Sequence, residues 1–144
     1  MSYRAKLAII NSVIWIVMFV IFSISFFSST YPEVLPLSNY RTTTVILFAI
    51  PNITNIIILF FQLQHEKTDE RNKKIESISS SIAMITLMTI VFIASMTLHI
   101  VYNDTGFVPS SLLWYVGFGT VFITFIVFNL SYIIVSLKGT DYES

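Results

Sequence analysis

Four long segments without a single Asp, Glu, Lys or Arg, residues 7–32, 42–64, 77–98 and 105–137, fill most of the chain. An α-helix rises about 1.5 Å per residue, so about 20 apolar residues cross a hydrocarbon core about 30 Å thick. Each segment meets that length. The pattern predicts an all-α, polytopic integral membrane protein folded as an antiparallel bundle of four transmembrane helices. The spans are expected near residues 7–28, 43–64, 78–101 and 112–136, within a single membrane domain covering 1–144.

Composition removes the soluble alternative. Charged residues make up 11 % of the chain, against roughly 25 % in soluble domains. A soluble bundle needs polar stripes at helical spacing, yet Val13–Phe22 and Ile56–Phe61 are apolar on every side. There is no cysteine, so disulfide, thiolate and Cys-based metal chemistry is excluded. The formal net charge is zero and no basic block stands out, which excludes nucleic acid as an expected partner. Arg4 and Lys6 before an apolar run resemble a secretory leader. That run exceeds the usual 7–15 residues, and Phe26-Phe27-Ser28-Ser29 is not a small-residue cleavage site, so the first helix is expected to stay.

Lysine and arginine in short loops set orientation. Of the eight such residues, only Arg41 falls on the side opposite the termini. The cell membrane is the expected location, with both termini and the 65–77 loop cytoplasmic. That loop holds Asp69 and Glu70 four residues before Lys73 and Lys74, the favourable order for helical ion pairs, with Arg71 between them. The third helix can therefore begin before the membrane, and Asp69, Glu70, Arg71, Lys73 and Lys74 form a candidate partner-docking surface. On the other side, Pro32, Pro36 and Pro109 mark turns, Asn103-Asp104-Thr105-Gly106 ends the third helix, and Ser110 or Ser111 is a candidate cap for the fourth.

The spans themselves lack charged residues, although ion-coupled carriers and voltage sensors place charged groups there. Their polar residues are amides and hydroxyls. Asn52, Asn55 and Gln62 share a face of the second helix; Gly117, Thr120, Thr124 and Ser131 line up on the fourth, with Asn129 to the side. On the third, Ser81, Ser95 and His99 share a face with Met88 and Phe92; on the first, Asn11 and Ser25 align through Trp15, Met18 and Phe22. Such residues let membrane helices approach and hydrogen-bond across their contact. A polar path is the alternative reading. Pro51 frees a carbonyl one turn back that nearby amides can satisfy. Glu33, Arg41, His99 and Asp104 gather at the outer surface as a candidate site for an external ligand. His65 lies at the other surface from His99, so no two-histidine metal site is expected within one chain. No HExxH, GxSxG or phosphate-binding glycine loop occurs, so neither enzymatic activity nor a cofactor is expected.

Tyr31-Pro32-Glu33-Val34-Leu35-Pro36 resembles the Tyr-Pro…Leu-Pro segment of the bacterial SdpI-like immunity proteins. Pro51 within the next span, and a third span closing on His99 and Gly106, are similar as well. Where that family continues with a His-aromatic-Asn step, this chain reads Leu37-Ser38-Asn39-Tyr40-Arg41. The resemblance implies four or more helices, protection against a secreted peptide toxin, and no catalysis. The expected function is therefore interaction: toxin immunity or regulation of another membrane protein. A small homo-oligomeric transporter or channel using the polar faces of helices two and four is the alternative.

Overall fold

A computed structural model describes residues 3–30, 40–65 and 70–138, and four helices account for nearly all of them. They are α1 (Tyr3–Thr30), α2 (Tyr40–His65), α3 (Glu70–Tyr102) and α4 (Ser110–Lys138). All four are long and apolar enough to cross a membrane. The protein is thus an all-α, four-helix membrane bundle. The start of α1, the end of α2, the start of α3 and the end of α4 lie at one end, called here the terminal end.

The helices extend past the expected spans, most of all at the start of α3. It begins at Glu70, ahead of the span expected from residue 78, as the order of acids and bases there allowed. Its other end closes on a left-handed glycine. Gly106 has φ 67°, and its N–H donates to Tyr102 O at 3.0 Å. That is the single-bond αL cap, and a side chain there would strain the backbone. The expected serine cap of α4 is replaced by backbone: Leu113 N–H donates to Pro109 O at 3.2 Å, which makes Pro109 the cap residue.

Pairing within the bundle is uneven. α1 packs against α2 and α4, and α4 packs against α3, whereas α2 and α3 do not pack closely on each other. The core lies along α1 and α4. Trp15, Phe22 and Phe122 are at most 1 % exposed. Trp15 stacks on Phe125 at 4.4 Å and meets Phe122 and Phe48 edge-on. Phe22 stacks on both Phe122 and Tyr115, and Phe48 meets Phe118 edge-on. Such pairs each contribute about 0.5–1.5 kcal/mol beyond area burial. Gly119 packs beneath the Phe19 ring, where an added Cβ would lie 3.8 Å from it; Gly117, expected on the packing face, is exposed.

α3 contacts its neighbours through Ile75, Ser79 and Ala83, which are buried. The face predicted to pack, Ser81, Met88, Phe92, Ser95 and His99, points outward instead. Periodicity alone cannot distinguish it, because lipid accepts the same side chains as a protein interior does.

Candidate functional site

The polar residues of the spans divide by chemistry. Most hydroxyls turn back on their own helices: Thr86, Thr89 and Thr97 donate to carbonyls one turn earlier, as do Thr120 and Thr124, while Ser23 pairs with the Tyr115 hydroxyl across helices. A hydroxyl satisfied this way can face lipid. A carboxamide has two N–H donors and an oxygen with two lone pairs, more than one carbonyl can satisfy. The amides accordingly reach across. Asn11 Nδ2 donates to Asn129 Oδ1 at 3.0 Å, and Trp15 Nε1 donates to Asn55 Oδ1 at 3.4 Å. Asn129 Nδ2 also donates to Phe125 O, at 2.7 Å. Asn52 is different: its Nδ2 donates to Phe48 O within α2, not to the Leu47 carbonyl that Pro51 leaves without a donor.

Asn11, Asn55 and Asn129 converge on a cavity of about 260 Å³ walled by all four helices, nearer the terminal end. Leu7, Ile58, Leu59, Phe125 and Phe128 supply its apolar lining, and Tyr132 contributes a phenol. Arg4 and Glu76, 3.7 Å apart, line it as well and tie α1 to α3. Beyond Asn11 and Asn55, toward the other end, the aromatic core of Trp15, Phe22, Phe48 and Phe122 fills the interior.

A second hollow lies toward that other end, between α2 and α4. It is a groove of about 520 Å³ lined by Phe48, Leu113, Trp114, Gly117, Phe118 and Val121. Gly117 offers bare backbone there, with nothing within 4 Å of an added Cβ. Trp114 Nε1 is buried without a hydrogen-bond acceptor.

The predicted site residues meet different fates. Asn55 and Asn129 are brought together; Asn52, Thr120 and Thr124 are not, each bonding within its own helix. Of the outer cluster, His99 and Asp104 are exposed, and no hydrogen bond or ion pair joins them. Glu33 and Asp69 lie outside the described residues, as do the side chains of Arg41 and Gln62. Glu70, Arg71, Lys73 and Lys74 are exposed on the first two turns of α3. Sequence reasoning passed over Asn11 as part of a site, and with it Arg4, Glu76, Trp114 and Tyr132. Amides can be picked out from sequence as the groups that one helix cannot satisfy; the Arg4–Glu76 pair joins residues far apart in the chain and carries no such mark.

No family model matches the chain, and no curated protein or solved structure matches it either.

Proposed function

We propose that this protein acts by contact, receiving an apolar helical segment of a peptide or membrane protein in the groove between α2 and α4, without catalysing a reaction. The observation that carries the reading is the groove itself. Exposed backbone at Gly117 permits close helix approach. Aromatic walls supply the contact area on either side. The seven Lys and Arg residues at the terminal end orient that end toward the cytoplasm, which puts the groove in the outer half of a cell membrane. A peptide arriving from outside would meet it first. This fits bacterial immunity to a secreted peptide toxin, which the Tyr31–Pro36 segment also suggests.

The transporter reading finds less support. A route through one chain would have to pass the layer of Trp15, Phe22, Phe48 and Phe122, so conduction would need a path between copies.

The test is survival of toxin-sensitive bacteria expressing the chain under challenge with membrane-active peptides. Protection is expected, and Gly117→Trp, which fills the groove, should abolish it at unchanged membrane abundance. Absence of protection, or full protection by the variant, overturns the proposal.

A further inference from the structure

The cavity at the terminal end is graded from a charged rim to an apolar interior. Arg4 and Glu76 form the rim. Glu76 is the last charge before the uncharged stretch of α3, and Arg4 stands just before Lys6, the last before that of α1. The rim therefore sits at headgroup level in the leaflet on the terminal side. Asn11 lies about 10 Å deeper along α1. Between the two levels the lining is mostly Leu7, Ile58, Leu59, Phe125 and Phe128. The deep amides turn to one another, to Trp15 and to Phe125. Asn11 Oδ1 and the Tyr132 hydroxyl are buried beyond a guest's reach. A guest meets charge at the rim and mostly hydrocarbon below it.

The cavity is also open sideways. α2 and α3 do not pack closely on each other, and Leu59 and Glu76, which line the cavity from those two helices, are both more than half exposed. Lipid thus has access between α2 and α3.

The rim selects the head. Arg4 and Glu76 approach at 3.7 Å, longer than a charge-assisted hydrogen bond. A guanidinium has five N–H donors, more than one carboxylate uses, and the Glu76 carboxylate accepts on two oxygens. Opposite charges side by side match a head that carries both, a phosphate against Arg4 and a primary ammonium against Glu76. A quaternary ammonium has no N–H to donate, and a purely anionic head would set its charge beside Glu76 unbalanced. In a bilayer the chain gains nothing from apolarity itself, so the head decides which lipid stays.

We infer that the cavity holds a phospholipid of the terminal-side leaflet, its phosphoethanolamine head at Arg4 and Glu76 and one acyl chain against Leu7, Ile58, Leu59 and Phe128. About 260 Å³ takes part of one chain, and the rest of the lipid stays in the bilayer. This site is separate from the groove, and the inference stands whether or not a peptide binds there.

Trp15 donates to Asn55 and stacks on Phe125, both of the lining, so it reports on the chain. Trp114→Phe leaves it the sole tryptophan. With this variant in phosphatidylcholine nanodiscs, a minor fraction of phosphatidylethanolamine with brominated chains should quench Trp15 saturably. Phosphatidylcholine and phosphatidylglycerol with the same brominated chains should need about threefold higher fractions for equal quenching, the scale of one exposed ion pair. Glu76→Gln, a substitution of like size at an exposed position, should remove the preference over phosphatidylcholine and turn it toward phosphatidylglycerol. Leu59→Phe, which narrows the cavity from an exposed position, should weaken quenching by phosphatidylethanolamine. Equal quenching by the three lipids, a preference for the ethanolamine head that survives Glu76→Gln, or quenching indifferent to Leu59→Phe overturns the inference.

Discussion

α1 and α3 have similar apolarity and opposite fates. Their mean hydropathies are 2.6 and 2.1, yet 28 % of the first span is buried and only 6 % of the third. The difference lies in what each offers its neighbours. α1 carries Trp15, Phe19, Phe22 and Phe26, which interlock with rings of α4, together with Asn11 and Ser23, which hydrogen-bond to Asn129 and Tyr115. α3 presents Ile, Met and Thr to its surroundings and packs through a narrow stripe of Ile75, Ser79 and Ala83. In a bilayer, apolarity provides no attraction between helices, because lipid chains are as apolar as Leu. Shape and unmet polar groups supply it. The α1–α4 pair therefore forms the interlocked core of the molecule, whereas α3 runs closely along α4 with most of its surface turned outward.

The largest test of this contrast is Trp15→Ala, which removes a stack, two edge contacts and a hydrogen bond. It should cost about 3–5 kcal/mol, read as equilibrium unfolding in mixed detergent. Gly119→Leu forces a side chain toward the Phe19 ring and should cost about 1–3 kcal/mol in the same assay. A double-mutant cycle with Asn11→Leu and Asn129→Leu should return a coupling of about 0.6 kcal/mol, the usual strength of an intramembrane hydrogen bond. The smallest effect belongs to α3: Thr89→Val together with Phe92→Ala should change stability by less than about 0.5 kcal/mol. If the α3 variant matched Trp15→Ala, the division into interlocked core and outward-facing helix surface would fail.

Span number and position are legible in the sequence because charge is excluded from a bilayer core, and the gaps between charges show it directly. Helix faces are not legible in the same way. Ser81, Met88 and Phe92 make as plausible a packing stripe as Ser79 and Ala83, and only the three-dimensional arrangement separates them. Polar residues fall between these cases. Thr120 and Thr124 mark a polar face, but each hydroxyl is satisfied by its own helix. Asn129, set to one side by helical spacing, joins α1 to α4 and lines the cavity. Their count of donors and acceptors ranks the amides above the hydroxyls from the sequence alone. The groove could not be anticipated, since it arises from which helices fail to meet.

The early start of α3 has a consequence outside the membrane. At about 1.5 Å per residue, the turns from Glu70 to Glu76 carry the helix axis roughly 9 Å past the last charged residue before the span. Those turns hold Glu70, Arg71, Lys73, Lys74 and Glu76, all exposed, on the helix whose span is least buried. The molecule thus carries a short charged mast at its terminal end. Its foot is anchored beside Arg4, with Ile75 and Ser79 buried against the neighbouring helices, so the charged tip is presented to the aqueous side from a fixed base.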